Sequence, residues 1–225
     1  MMIEIKNFFE NILTRCQNRY IIQLLTQCQY RHLKINREVI KMKKNVGSQL
    51  ALYPMPVTVI GAMNEDKPTW TLVAHVGIIG HDRVLVSLAA PHFINSVIKE
   101  NKKLSINIAD EEILPQVDYS GSVSGAKTDK SNLFDYELGD NGTPIINKSP
   151  LTMECTVVDV YNSPNFESFI CTIDSTYVEE KHLNEAGKID YHTLKPVLFE
   201  FPTYEYLRTG EVFGKCLSFK NDSSI

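Results

Sequence analysis

From Tyr53 onward the apolar positions come in short runs with the alternation of strands: VTVIGAM, then TWTLVAHVGII after a turn through Asn64 to Pro68, then RVLVSLA after a turn at His81 and Asp82. Connections this short leave no room for a crossover helix, so the three runs are expected to pair antiparallel as a meander. In HFINSVIKENKK the period changes. Phe93, Ile94, Val97 and Ile98 share one helical face behind Pro91, and LSINIA returns to strand. Farther on, LTMECTVVDVYNSP and ESFICTIDSTYVEE flank a turn at Asn162 to Phe166 and read as a hairpin. HLNEAGKIDYHTLKP reads as a short helix or loop insert, and VLFEF, TYEYLRTGEV and KCLSF as closing strands. Six or more strands with only short helices between them predict a mainly β fold, an antiparallel barrel closed or partly closed.

The first 41 residues differ in character. Phe8, Ile12, Ile21, Leu24 and Leu25 have helix-compatible spacing without a clear cap, and the segment holds 7 Lys+Arg against 3 Glu, a net +4. The remainder holds 16 against 24, a net -8, so residues 1–41 are expected to be a basic extension, helical or preceding a start at Met42, and residues 42–225 the folded domain. The whole chain of 225 residues, 43% hydrophobic, 22% charged and with pI near 5.9, has ordinary globular composition and lacks the basic footprint of a nucleic-acid binder. Gln, Arg and Asn interrupt FFENILTRCQNRYIIQLL, so neither a signal peptide nor a membrane span is expected, and a cytoplasmic location is. The five cysteines, Cys16, Cys28, Cys155, Cys171 and Cys216, show no C-x-x-C pair. Cys155 and Cys171 fall in strand patterns and are expected to be buried as small hydrophobes.

One loop carries candidate chemistry. DYSGSVSGAKTDKS contains GSVSGAKT, which matches the P-loop G-x-x-x-x-G-K-[ST] at Gly121, Lys127 and Thr128 but places Ala126 where the second glycine belongs. A working P-loop joins a buried parallel strand to a helix whose N-terminus faces the phosphates. Upstream of this loop Pro115 interrupts any strand, and downstream DKSNLFDYELGDNG is short and broken by glycines, so an ATP site is not expected. Two readings stay open: an ordinary solvated turn, or a loop whose amides, hydroxyls and lysines serve a phosphorylated cofactor in a β-barrel.

Taken together, VGSQLALYPMPVTVIGAM, KPTWTLVAHVGIIGHDRVLVSLA, FINSVIKENKKLSINIAD, DYSGSVSGAKTDK and FGKCLSF resemble the flavin reductase-like, FMN-binding split-barrel family, especially its flavoredoxin-like branch, over about Met42 to Lys220. The resemblance implies an antiparallel Greek-key split β-barrel with short peripheral helices, a homodimer, FMN near the subunit interface, and hydride transfer from NADH or NADPH or onward electron transfer to an unidentified acceptor. It implies that Val73, Ala74, His75, Val76 and Gly77 border the isoalloxazine ring, and that Ser87, Leu88, Ala89 and His92 lead toward the phosphate with Ser124, Gly125, Lys127 and Lys130.

The sequence departs from the family pattern at two of these positions. Ala89 stands where relatives often carry arginine, so the phosphate needs another cation, with His92, Lys127 and Lys130 as candidates. His75 stands where relatives commonly carry a bulky aromatic; it is either a satisfied barrel histidine or a hydrogen-bonding neighbour of the flavin. Trp70 reads as packing rather than a stacking platform. Tyr204 and Tyr206 alternate along a strand and either line the site's mouth or pack in the core or a dimer contact. No catalytic acid, base or nucleophile is required for hydride transfer to flavin, and no metal-ligand spacing occurs. The alternative is a split-barrel scaffold or binding module that has lost FMN.

Overall fold

A computed structural model describes Gln27 and residues 43–218. Phe8, Ile12, Ile21, Leu24 and Leu25, with Cys16 and Cys28, lie outside the described residues. The chain divides into two units, residues 1–51 and 52–225, and the second carries every feature that follows. Strands β1 (Met55–Pro56), β2 (Thr58–Asn64), β3 (Lys67–Val73), β4 (Val76–Ile78) and β5 (Arg83–Ala89) precede helix α1 (Ile94–Asn101) and β6 (Lys103–Ile108). Helix α2 (Leu114–Ser122), the small hairpin of β7 (Tyr136–Leu138) and β8 (Pro144–Ile146), and the long pair β9 (Leu151–Asn162) and β10 (Phe166–Val178) follow. Helix α3 (Tyr191–Leu194), β11 (Leu198–Glu200) and β12 (Glu205–Leu207) complete the series.

Seven strands form one antiparallel sheet in the order β3-β2-β6-β9-β10-β5-β4. The sheet curls on itself: Val73 on one edge strand shares a buried cluster with Val84 and Val86, next to the opposite edge, and with Leu104 and Phe169 from the centre. Register shifts between Ile170 and Cys171 and between Ile173 and Ser175 help the long hairpin bend. The edges β3 and β4 do not pair with each other, so the protein is a split, mainly β barrel of the Greek-key kind. Helix α1 plugs the concave side with Ile94, Val97 and Ile98, the stripe its sequence spacing predicts.

A second core lies on the outer face of β2 and β3. Trp70 is wholly buried there, edge-on to Phe134 at 5.5 Å and Tyr136 at 6.1 Å. Gly61 makes this possible, since a Cβ at that position would collide with the indole ring. Trp70 is therefore a packing residue, as its sequence context predicts.

Three expectations are corrected. The three runs pair antiparallel as expected, β3 with β2 and β4 with β5, but TWTLVAHVGII is two strands rather than one: it breaks at Ala74 and His75, and β5 also pairs with its other neighbour, β10. KCLSF does not form a closing strand over its described part. Lys215 to Ser218 make a turn, with Ser218 N donating to Lys215 O at 3.2 Å and Leu217 at φ 63°. Tyr204 and Tyr206 do not alternate on a strand, because Tyr204 occupies a turn at φ 61° while Tyr206 lies on β12 and donates to Asp118 Oδ1 at 2.6 Å.

Cys155 and Cys171 are fully buried in the barrel, whereas Cys216 is exposed. Burial pushes the Cys155 thiol far above its usual range and Cys171 up to about 12. Both stay protonated at pH 8. Native protein treated with iodoacetamide at pH 8 is expected to carry the label on Cys216 and to remain unlabelled at Cys155 and Cys171 by peptide mass spectrometry; labelling of either at the rate of Cys216 contradicts the packing.

Candidate functional site

The glycine and lysine loop is built in reverse relative to a P-loop. Helix α2 runs into it and ends at Ser122, so the loop meets the carbonyl end of a helix, where the dipole is negative. Beyond it the chain turns: Ser124 O accepts from Lys127 N at 3.0 Å and from Thr128 N at 2.9 Å, and Asp129 Oδ1 accepts from Ser131 N at 2.8 Å. No helix begins in the loop, which removes the ATP reading. The helix before the loop was not expected, and Pro115, read as a strand breaker, occupies its first turn.

The two lysines of this loop have opposite environments. Lys130 is 6% exposed, and its Nζ donates to Trp70 O at 3.0 Å and Ser120 O at 2.6 Å. Both partners are neutral carbonyls, so the ammonium is desolvated with no counter-charge among the described residues, and burial pulls its pKa below the ordinary range. Lys127, three residues earlier, is exposed.

Lys130 lies in a cleft of about 310 Å³ between β3, the start of α1 and the loop, which His92, Ser124 and Gly125 also line. Thr69 and Thr71, missed in the sequence, supply hydroxyl-bearing walls; their two-residue spacing on KPTWTLV, with Trp70 between them, is the signal that marks one strand face. Gly125 allows the loop to lie on this floor. A Cβ there would stand 3.0 Å from Phe93 Cδ1 and 3.2 Å from Thr69 Oγ1. Partial desolvation, then the Lys130 charge, lower the pKa of His92 and favour its neutral form. A second cleft of about 320 Å³ adjoins the first, sharing Thr69, Phe93, Gly125 and Lys130 and adding Lys67 and Lys127.

The other expected residues lie outside these two clefts, on the strands that lead to them. Val73 and Ala74 are buried, and Val73 O accepts from Thr58 Oγ1 at 2.7 Å. Val76 and Gly77 pair with Val86 and Leu85, and a Cβ on Gly77 would meet open space. Ser87 Oγ is 2.8 Å from Ser168 Oγ, Leu88 points into the core, and Ala89 O accepts from His92 N at 3.0 Å. Strand β5 thus delivers the chain directly to the cleft.

His75 is half-buried at the break between β3 and β4. Its Nε2 is 2.9 Å from Tyr53 Oη, its carbonyl accepts from Ser87 N at 2.9 Å, and Phe166 sits against the ring at 5.7 Å. Tyr53 in turn stacks on Phe201 at 6.1 Å. The imidazole is therefore held on two sides, and Tyr53 is a partner that sequence reasoning did not single out. Among the described residues no group of three or more His, Cys, Asp or Glu is placed to hold a metal, and no helix is long and apolar enough to cross a membrane.

The fold has counterparts in known proteins. The flavin reductase like domain matches residues 50–207. Among solved structures, flavoredoxin from Methanosarcina acetivorans is 31% identical, with a TM-score of 0.75, covering 81% of this chain and 98% of its own. Flavoredoxin of Desulfovibrio vulgaris (Miyazaki F) is 26% identical, with a TM-score of 0.73, over 78% of this chain and 98% of its own. An FMN-binding protein from Thermus thermophilus, 20% identical with a TM-score of 0.66 over 77% of this chain and 100% of its own, shares the fold. No match is found among curated proteins. A domain match over most of the chain, a flavoredoxin at 31% identity and a split barrel with a cation-floored cleft agree: the chain belongs to the flavin reductase-like family of flavin-related oxidoreductases.

Proposed function

We propose that the protein binds FMN with its phosphate in the cleft floored by Lys130, and acts as an NAD(P)H-dependent flavin reductase or a flavoredoxin-like electron-transfer protein. The observation that carries this reading is Lys130, a buried ammonium answered only by two backbone carbonyls and opening on a cleft. A phosphate there completes its third donor with a charge-assisted hydrogen bond. This also supports a loaded site over a scaffold that has lost its cofactor, because Lys130 supplies the cation that Ala89 does not.

When bound, the flavin supplies the hydride acceptor and electron carrier. The chain's own residues bind and orient. Ser124 offers a hydroxyl, Gly125 permits close approach, and His92, whose neutral form is favoured, offers a ring N–H. On this reading the backbone of Val73 to Gly77 borders the ring, with the open face of Gly77 leaving room, and Tyr53 with Phe166 keeps His75 in one orientation. The exposed Ile78 and Ile79 at edge strand β4 support burial against a second copy, and we place such a homodimer in the cytoplasm.

Titration of the purified chain with FMN is expected to give saturable binding and a perturbed flavin absorbance spectrum, and the loaded protein to oxidise NADH or NADPH. No binding at millimolar FMN returns the domain to a scaffold role. Binding without nicotinamide oxidation leaves the electron-carrier form alone.

A further inference from the structure

The two adjoining clefts share one buried cation, and this arrangement suits a pyrophosphate better than a single phosphate. We infer, resting on the flavin reading above, that the second cleft takes the second phosphate and adenosine of a flavin dinucleotide, so that the chain prefers FAD to FMN. Each cleft alone, at about 310 and about 320 Å³, lies at the low end of small-ligand pockets. A flavin mononucleotide whose phosphate reaches Lys130 leaves the second cleft unused.

Lys130 lines both clefts, and its side chain is the only charged group that they share. Two phosphoryl groups flanking it lie one in each cleft. The second cleft then adds two more cations, Lys67 and Lys127, against one carboxylate, Asp129. That carboxylate is exposed but already engaged: Oδ1 accepts from Ser131 N at 2.8 Å, and Oδ2 pairs with Lys67 Nζ at 3.4 Å. Lys127 is exposed with no ion pair among the described residues, and is free to meet an incoming anion. Gly125 and Phe93 line both clefts, and the missing Cβ of Gly125 lets the loop pack closely on Phe93 and Thr69 where the clefts adjoin. Asn64 and Pro68 at the outer wall offer an amide and an apolar surface to the nucleoside.

Isothermal titration of the full chain with FMN and with FAD tests this directly, comparing wild type, the double variant Lys67→Ala with Lys127→Ala, and Lys148→Ala, whose lysine lies outside both clefts and pairs with Glu112 at 2.7 Å. Wild type is expected to bind FAD about tenfold more tightly than FMN. The double variant is expected to weaken FAD about tenfold while FMN changes less than about twofold, and Lys148→Ala to leave both unchanged. FMN binding as tight as or tighter than FAD overturns this inference and leaves the flavin reading standing, as does a double variant that weakens both flavins equally. Failure of both flavins to bind overturns the flavin reading and this inference with it.

Discussion

Replacing Lys130 with methionine is expected to raise the Kd for FMN about a hundredfold, because a charge-assisted hydrogen bond from a buried ammonium contributes about 1.5–3 kcal/mol and each 1.4 kcal/mol is tenfold. The melting temperature of the ligand-free variant is expected to hold or rise. Methionine retraces most of the lysine's apolar path, and although Trp70 O and Ser120 O lose their donor, the chain no longer desolvates an unanswered charge, which costs several kcal/mol. Calorimetric titration and thermal melting of the same preparation separate the two effects. An unchanged Kd would move the phosphate away from this cleft; a Kd loss accompanied by a collapse in melting temperature would make Lys130 a structural residue.

The second large effect belongs to the outer core. Trp70→Ala is expected to cost about 3–5 kcal/mol in urea unfolding, the range for deleting a large buried aromatic. The indole Nε1 has no partner among the described residues, so the expected cost is that of packing against Phe134 and Tyr136 over Gly61. Trp70→Phe is expected to retain more than half of that stability. A loss below about 1 kcal/mol for the alanine variant would mean that the cluster refills the space, contrary to the small relaxation that well-packed interiors allow.

Where the pattern of side chains is local, the sequence was readable. Alternation in LTMECTVVDVYN and FESFICTIDSTYV marked the β9 and β10 hairpin, and the stripe of Ile94, Val97 and Ile98 marked α1, because each element buries a face that its own period creates. Helix α2 was hidden for the complementary reason. LPQVDYSGS has little amphipathic stripe; the helix rests on Val117 and Ser120 packing inward and on Pro115 tolerated in the first turn. The partner of β5 was also out of reach, since nothing in RVLVSLA distinguishes a neighbouring strand from β10, some 80 positions away.

At the site, composition and motif pointed to the loop but could not rank its lysines. Lys127 and Lys130 look equivalent in GAKTDKS, yet a single turn separates an exposed side chain from a buried one. The sequence absence of a cation at Ala89 was legible; the burial of its replacement was set by the carbonyl of Ser120, ten residues upstream, together with that of Trp70, sixty residues away on β3, which no local pattern encodes. The spacing of Thr69 and Thr71 marks one strand face, but that this face lines the cleft is set by the loop and α1 packed beside it.

A positive charge buried on the floor of the cleft, with no carboxylate partner among the described residues, links loading to survival of the fold. On the flavin reading, the phosphate is the missing counter-ion, and a ligand that binds only the native state stabilises it by RT ln(1 + [L]/Kd). Cellular flavin supply would then govern how much of this chain persists, with starved cells clearing it through the same proteolysis that removes marginal folds. Lys130 would act as a quality check, retaining molecules that have acquired their cofactor.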